Sequence, residues 1–287
     1  MFPLAVISDE IDQDLEHSLA VCRELGLDGI ELRTAWGVNL VDMDKGSIER
    51  AAALIDRYKL PVVAIASPLF KVHRRSGEEG MVGDTFFASG AGPEEHLEMI
   101  PKLVDLCRTF RTGIVRCFSF WREPELTTEA VEEIAEYLAE ALKRFRGSGV
   151  VLALENEQET NLGTAAHCRP VLEKLAGDGL KLVWDPGNAL VAGENPFPEG
   201  YGLIKDHVAH VHLKDVIIGP GPSPAFVPIG DGHIDYRGQL QALADDGYEG
   251  YLSLETHYVP EGGDKEAGTR AALAGLRDVL RTDGLDG

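Results

Sequence analysis

Short, almost unbroken apolar runs alternate along this chain with longer segments in which apolar residues recur every three or four positions. A short unbroken run is typical of a strand buried on both faces, as in a parallel sheet. Recurrence at three and four positions is typical of an amphipathic helix. The runs predict eight strands, at 4–8, 29–32, 61–66, 113–117, 150–155, 180–185, 208–213 and 251–255.

The amphipathic segments predict helices between these strands. Pro101 predicts a kink in the third helix, because proline cannot donate the backbone hydrogen bond of a helix interior. An eighth segment, at 196–205, is interrupted by glycine and predicts only a weak helix or a loop. The seven regular segments lie at 14–26, 47–59, 93–111, 127–146, 164–176, 237–246 and 265–281.

Strand and helix thus alternate eight times without a break in composition. This alternation predicts an α/β protein made of a single (β/α)8 TIM barrel domain over residues 1–287, with a doubly wound parallel sheet as the alternative. Two connections, at 67–92 and 214–236, are long, irregular and rich in glycine together with polar residues or proline. We expect both to be loops that cover a binding site.

Composition and charge narrow the class of protein without changing the fold. Hydrophobic residues make up 44% and charged residues 26% of the chain, as in ordinary globular proteins. The formal charge of −21 opposes binding to nucleic acid and to anionic membranes. No apolar run approaches the roughly 20 residues of a membrane span, and the scattered cysteines suggest neither disulfides nor a zinc–thiolate site. We expect a cytoplasmic protein with a small-molecule partner, and a homo-oligomer is compatible with the sequence.

Four predicted strands in the second half of the chain end in polar side chains. Glu155 ends the fifth strand, Asp185 the sixth, His212 the seventh and Glu255 the eighth. The active site of a (β/α)8 barrel is built at the C-terminal ends of its strands, so these side chains are expected to converge. An unpaired buried carboxylate is costly, which disfavours a purely structural role for the glutamates. Asp185 can instead open the turn at Pro186, and a strand histidine is often structural.

The ligand atoms of this quartet indicate which metal it would hold. Three carboxylates and one imidazole, with no sulfur, suit one hard divalent ion better than they suit a closed structural zinc site. We expect Mn²⁺ first, with Mg²⁺, Co²⁺ and Zn²⁺ as alternatives. Coordination positions would remain for substrate oxygens.

Seven short motifs stand at the predicted strand ends and in one loop: ISDEI, GIELR, LALENE, WDPGN, HVHLKD, GDGHIDYRG and LSLET. As a set they resemble the xylose isomerase-like superfamily of sugar isomerases and epimerases. That superfamily includes tagatose/psicose 3-epimerases, inosose-processing enzymes and, more distantly, AP endonucleases. The resemblance covers nearly the whole chain and looks closer to the sugar phosphate isomerase/epimerase branch.

The resemblance implies one divalent metal held by Glu155, Asp185, His212 and Glu255. It also implies that the two glutamates flank the reacting carbon and move its proton. In the ketose 3-epimerases, a histidine three residues after the aspartate and an arginine beyond the metal-binding histidine hold the substrate. Here Asn188 takes the place of that histidine, and Lys214 follows without the arginine. Some relatives of this branch act on inososes, or on 3-keto-glycosides by elimination.

Six further residues near the strand ends are candidates for binding substrate: Glu157, Asn188, Lys214, Glu31, Trp36 and His73. Glu157 would project just above the rim of the barrel, where a solvated loop glutamate is the alternative. Lys214 can neutralise an enolate or an anionic group of the substrate, and Trp36 can stack on a sugar. His210, two residues before His212, is expected to orient a ligand by hydrogen bonding.

Proton transfer next to the carbonyl of a keto sugar, through an enediolate, is the chemistry that these residues support best. Return of the proton to the opposite face gives epimerisation, return to the neighbouring carbon gives isomerisation, and loss of a β-substituent gives the elimination of a lyase. Three other classes remain open. They are an AP-endonuclease-like phosphodiesterase, which the negative charge disfavours, a sugar-binding protein without activity, and a two-carboxylate glycosidase.

Overall fold

Eight parallel strands form the centre of the molecule. The structure is a computed structural model and describes residues 2–75, 92–221, 223–282 and 284–285. The strands are β1 (Leu4–Val6), β2 (Ile30–Leu32), β3 (Val62–Leu69), β4 (Ile114–Cys117), β5 (Val151–Glu155), β6 (Lys181–Trp184), β7 (Val208–Leu213) and β8 (Leu252–Leu254). Neighbours in the chain pair in parallel from β2 to β8, and β8 pairs with β1. A parallel bridge between Ile7 and Glu31 joins the remaining two edges. The predicted (β/α)8 barrel is therefore confirmed.

Helices pack around this barrel. They are α1 (Leu15–Glu24), α2 (Lys45–Tyr58), α3 (Pro93–Glu98), α4 (Ile100–Phe110), α5 (Thr128–Phe145), α6 (Ala165–Leu175), α7 (Pro186–Val191), α8 (Tyr201–Ile204), α9 (Tyr236–Asp245) and α10 (Lys265–Thr282). The Thr127 side chain caps α5 by accepting from the Ala130 N–H, and Ile134, Leu138 and Leu142 form part of its buried face. Truncating one such leucine to alanine costs about 2–5 kcal/mol of stability in a typical core.

Most boundaries lie within two residues of the expected ones, and two elements differ by more. The helix expected at 93–111 is two helices that meet at Met99, and Pro101 lies in the first turn of the second, where a missing N–H costs little. Strand β3 runs on to Leu69, because Leu69 still pairs with Cys117 of β4. Its last three residues belonged to the expected loop 67–92, and residues 76–91 of that loop lie outside the described residues.

The segment 214–236, expected to be irregular, contains a two-stranded antiparallel hairpin of Asp215–Ile217 and Ala225–Val227. The buried Asp215 carboxylate organises the chain after this hairpin, accepting from the backbone N–H groups of Gly230 at 2.8 Å and Gly232 at 3.0 Å. A Cβ at position 232 would lie 2.0 Å from Asp215 Oδ1, so only glycine fits there. Another short hairpin, of Thr34–Ala35 and Val38–Asn39, follows β2 and was also not foreseen.

Two further observations concern the described residues as a whole. None of their helices has the length and apolar character to cross a membrane. All four cysteines are buried free thiols, as expected of core residues.

Candidate active site

The structure brings the four polar strand ends together at one point. Glu155 is the last residue of β5, His212 lies near the end of β7, and Asp185 and Glu255 directly follow β6 and β8. One ligand atom from each of the four lies within 4.8 Å of the others. Three of the side chains are fully buried, and Glu255 is 3% exposed. Such a concentration of buried charge requires compensating groups.

Two buried arginines hold the outer oxygens of the glutamates. Arg116 Nη1 donates to Glu155 Oε2 at 3.0 Å, and Arg33 Nη1 donates to Glu255 Oε1 at 2.6 Å. Both guanidinium groups are 3% exposed, so water hardly competes with these ion pairs. In each glutamate, one oxygen is thereby fixed and the other is turned toward the centre of the quartet.

The aspartate and the histidine are oriented in the same way. Asp185 caps the N-terminus of α7, because its Oδ1 accepts the Asn188 N–H at 2.9 Å. His212 Nε2 lies 3.0 Å from Glu31 Oε2. Because a carboxylate can only accept, the proton in that contact is on Nε2, and Nδ1 faces the quartet.

The donor set that results fits a divalent cation. Asp185 Oδ2 is buried and, within the described residues, accepts no hydrogen bond of good geometry, although the Lys214 ammonium lies 2.9 Å away. A carboxylate oxygen in that position is ready to bind a cation. His212 Nδ1 lies 3.2 Å from Glu155 Oε1 and 3.6 Å from Glu255 Oε2, and Lys214 Nζ lies 2.9 Å from both Glu255 Oε2 and Asp185 Oδ2. Three oxygens and one nitrogen suit Mn²⁺, Mg²⁺, Co²⁺ or Zn²⁺.

Burial and neighbouring charge act in opposite directions on the carboxylates. Burial raises the pKa of Asp185 to about 6, against the opposing effect of the Lys214 ammonium. Burial alone would also raise the pKa of Glu255, but Lys214, His212 and His257 together outweigh it and hold that pKa well below its usual value. Burial would raise the pKa of Glu155 as well, but Arg116 and His212 together outweigh it and lower that pKa. Both glutamates are therefore carboxylates at neutral pH.

Cation binding should release protons from this site. Burial alone would lower the pKa of His212, but the carboxylates of Glu31 and Glu155 outweigh it and hold that pKa well above 6.5. His212 is then protonated at pH 7, while Asp185, with a pKa of about 6, is ionised. A cation binds only neutral imidazole and ionised carboxylate, so each ion bound should displace about one proton at pH 7 and about two near pH 5.

Calorimetric titration of the stripped protein with Mn²⁺ at pH 7, in PIPES and in HEPES, would count these protons, because the two buffers take up a proton with different heats. The apparent affinity should also fall as the pH is lowered through 6. Equal heats in both buffers would mean that His212 is neutral before the cation binds.

The three consecutive residues of the ENE motif face three directions. Glu155 points to the quartet, whereas the Asn156 side chain binds the backbone of Asp185, donating to its C=O and accepting its N–H at 2.8 Å each. Asn156 thus ties the ends of β5 and β6 together. Glu157 is 8% exposed and lies 3.9 Å from Lys71 Nζ.

Only some of the predicted substrate-binding residues lie beside the quartet. Asn188 and Lys214 border the quartet: Asn188 Nδ2 is 3.2 Å from Glu155 Oε1, and Lys214 Nζ is 2.9 Å from Glu255 Oε2. Glu157 stands at the rim near them. Glu31 lies behind His212 in the barrel interior rather than at its mouth.

Trp36 and His73 stand farther out. Trp36 occupies the turn of the hairpin after β2 with φ 54°, and the Arg50 guanidinium lies 4.2 Å from the centre of its ring. His73 follows β3 and is half-buried. No contact found among the described residues joins either side chain to the quartet.

Sequence reasoning missed two residues of the site. Arg116, in the middle of the otherwise apolar β4, was assigned only to a strand, although a charge in a buried strand is a signal that it faces an opposite charge. Arg116 pairs in register with Ala153. Ala153 is two residues before Glu155, so the two side chains point to the same face of β5. His257 was also missed; its Nε2 lies 3.9 Å from Glu255 Oε2 and its φ is 50°. A strained backbone of this kind is common at functional sites.

Comparison with known proteins agrees with the barrel fold. A family model described as the xylose isomerase-like TIM barrel matches residues 19–279. Fructoselysine 3-epimerase of Shigella flexneri is 26% identical over 282 residues, which cover 94% of this chain and 94% of that protein. Inosose dehydratase of Lacticaseibacillus casei is 24% identical over 162 residues, which cover 52% of this chain and 54% of that protein.

A solved structure, described as the IOLI protein with a binding zinc atom, has the same fold. The similarity has a TM-score of 0.77, covers 98% of this chain and 99% of the other, and has 20% sequence identity. At that level of identity the likeness concerns the barrel alone.

Proposed function

The chain belongs to the xylose isomerase-like TIM barrel family, and on that premise we propose that it is a divalent-metal-dependent isomerase or epimerase of a keto sugar or sugar derivative. The relatives matched by sequence are named as an epimerase and a dehydratase, so the chain is a sugar-processing enzyme. The reaction proposed is proton transfer next to a carbonyl, through an enediolate.

One observation carries the proposal. Two buried glutamates from β5 and β8 present one oxygen each to the same point as Asp185 and His212. Strands β5 and β8 lie three positions apart around the barrel, so the two carboxylates approach a central substrate from different sides. Removing a proton from one face of a carbon and returning it to the other requires two such groups.

We propose that Glu155, Asp185, His212 and Glu255 hold one divalent ion, Mn²⁺ before Mg²⁺, Co²⁺ or Zn²⁺. The ion would supply positive charge that stabilises the oxyanion formed when the proton leaves a carbon next to a ketone. The zinc atom named for the IOLI protein supports a divalent ion in this family but does not specify which one binds here.

The protein's own groups would do the rest. One of the two, Glu155 or Glu255, takes the proton from the carbon, and the other, after gaining a proton from solvent, gives that proton to the opposite face. Each is held in direction by its arginine. Asn188 has a buried carbonyl oxygen with no hydrogen-bond donor among the described residues, which suits a sugar hydroxyl. Lys214 offers an ammonium beside Glu255, and Glu157 accepts from hydroxyl groups at the rim. Trp36 and His73 remain proposed contacts with the outer part of the substrate, while Glu31 contacts His212.

Elimination by a lyase is the second candidate, and the pair Asn188 and Lys214 favours it. Asn188 stands where the resemblance to ketose 3-epimerases would place a substrate-binding histidine, and Lys214 follows His212 without the arginine of those enzymes. The Lys214 ammonium lies 2.9 Å from Glu255, where it can stabilise a departing hydroxyl group next to the base. An AP-endonuclease-like activity is disfavoured by the charge of −21, which repels a phosphate backbone.

Incubation of the Mn²⁺-loaded protein with fructoselysine, or with an inosose, in D₂O separates these reactions. We expect an epimer that carries deuterium on the carbon next to the carbonyl, because the carboxylate that takes the proton exchanges it with solvent. Proton NMR and mass spectrometry would follow the label, and protein stripped with a chelator is the control. Loss of water with formation of a conjugated ketone would select the lyase. An epimer formed in D₂O without deuterium next to the carbonyl would contradict the proposed proton transfer.

A further inference from the structure

Glu31 of β2 lies behind the quartet and is fully buried. One of its oxygens, Oε2, is approached by three groups: His212 Nε2 and His210 Nε2 at 3.0 Å each, and Ser253 Oγ at 2.9 Å. The three groups lie on β7 and β8, whereas Glu31 lies on β2. The barrel closes between β1 and β2, so Glu31 reaches these groups only in the closed barrel. The contact therefore joins strands that are far apart in sequence.

The position of Glu31 decides which nitrogen of His212 is available. A carboxylate accepts hydrogen bonds only, so Nε2 must carry the proton that it donates to Glu31. When His212 is neutral, the lone pair available to a cation is therefore on Nδ1, the nitrogen that lies 3.2 Å from Glu155 Oε1. A histidine with the other tautomer, or with its ring turned over, would point a hydrogen at the cation.

We propose that Glu31 is a positioning residue for the cation site, which fixes the ring and the tautomer of His212, and that it is not a contact for the sugar. The proposal rests on the proposed function in one respect, namely that the quartet binds a divalent ion. Partners of this kind behind a metal-binding histidine raise the basicity of the ligand as well as orienting it. Glu31 also adds a negative charge near the cation. Orientation and charge both strengthen binding.

His210 and Ser253 hold Glu31 in turn. Both donate to the same oxygen that receives His212. Without these donors a fully buried carboxylate would be costly and would turn away. The arrangement is therefore a fixed stack, with His210 and Ser253 below, Glu31 in the middle and His212 above.

The same three residues, Glu31, His210 and His212, also lie close enough to bind a second cation. The contacts favour hydrogen bonding, because 3.0 Å between nitrogen and oxygen is the length of an N–H···O bond and a single oxygen receives three donors. A second ion would have to displace the protons of both histidines. The experiment below distinguishes a second bound cation from these hydrogen bonds.

The test compares Mn²⁺ binding by wild-type protein, Glu31→Gln and Glu31→Asp, without any sugar present. Glutamine keeps the length of the side chain but removes its charge, whereas aspartate keeps the charge but draws the carboxylate back from His212. We expect both variants to bind Mn²⁺ about 10- to 100-fold more weakly.

A spectroscopic readout checks the tautomer directly. In the long-range ¹H–¹⁵N spectrum of the Zn²⁺-loaded protein, His212 should appear as the Nε2–H form, with a low-field proton that Glu31→Gln shifts or abolishes. Thermal unfolding of the stripped variants shows that they are folded, and Glu31→Asp serves if Glu31→Gln is not. His210→Gln is the matched control, because the glutamine amide can still donate to Glu31 and so keep its contact with His212, and it should weaken Mn²⁺ binding less than Glu31→Gln.

Three results would overturn the inference: unchanged Mn²⁺ affinity in Glu31→Gln, wild-type affinity in Glu31→Asp, or two bound ions per wild-type chain with one lost in His210→Gln. The first result excludes a role of Glu31 at the cation site. The second shows that the negative charge of Glu31 acts without orienting His212, and the third makes Glu31 a ligand of a second ion. None of these results depends on the sugar. A protein with no activity on keto sugars but weaker Mn²⁺ binding in Glu31→Gln would leave this inference standing and remove the proposed reaction.

Discussion

Replacing Asp185 or His212 with alanine should remove tight binding of the divalent ion and, with it, measurable turnover. Each replacement deletes one of four converging ligand atoms, and the remaining three cannot close around the ion. Loss of an outer partner alone costs about 10- to 100-fold in metal affinity, so loss of a ligand should cost more than about 100-fold. Metal content after dialysis and calorimetric titration with Mn²⁺ measure the effect.

The fold should survive these replacements, because residues at the C-terminal ends of barrel strands serve function more than core packing. Asp185 needs a second variant, since it also caps α7 and loss of a cap costs about 0.5–2 kcal/mol. Asp185→Asn keeps the cap and removes the charge, and it should bind the ion almost as poorly as alanine does. Asp206→Ala, an exposed aspartate before β7, is the control and should change neither property. Full metal retention in Asp185→Asn would contradict the assignment.

Replacing Glu155 or Glu255 with glutamine should slow turnover about 10²- to 10⁴-fold even when the metal site is full, the usual range for loss of a positioned acid or base. The amide has nearly the same shape but cannot take up a proton. Steady-state rates would be measured at Mn²⁺ concentrations shown by titration to saturate each variant. This precaution separates the proton transfer from the loss of a ligand, because both glutamates face the cation as well as the substrate.

The result for each glutamate also distinguishes the two candidate reactions. An epimerase needs both groups, whereas an elimination with Lys214 beside the leaving group needs one glutamate as base. A large loss at Glu255 with a small one at Glu155 would therefore favour the lyase. Glu157→Gln should affect KM more than kcat, since it stands at the rim. If both saturated glutamine variants kept the wild-type rate, the proton would have to move through Glu157, Lys214 or water.

The barrel was predictable because its signal is repeated. Each strand is short and apolar, and each is followed by an amphipathic segment, so an error at one boundary leaves the count of eight unchanged. The order of strands in a (β/α)8 barrel then follows from the chain, and the four polar strand ends must meet. The features that could not be predicted are short local elements. The hairpin of Asp215–Ile217 and Ala225–Val227 has strands of only three residues, too short to show an apolar alternation, and the segment after it is held by the buried Asp215 carboxylate.

The support of the site was harder to predict than the quartet. Glu31 was placed in the sugar pocket because it lies on β2, whose rim was expected to face the substrate. Its true neighbours, His210 and Ser253, come from strands that reach it only when the barrel is closed. Arg116 carries a weaker signal still, since a single arginine in an apolar run does not reveal which of several carboxylates it will meet. Alternation gives the direction of a side chain, but the partner depends on the three-dimensional register.

The links between the two ends of the chain bear on how this protein is made. Arg33 and Glu255 are 222 positions apart, and so are Glu31 and Ser253. A ribosome releases Glu31 long before His210, His212 and Ser253, so Glu31 waits without these partners, whereas Arg33 can already pair with Asp9 and Glu10. During that time β1 and β7 are uncovered sheet edges, which attract other strands. The arrival of β8 covers both edges in one step and delivers Glu255, so the quartet is completed only after β8 has been synthesised.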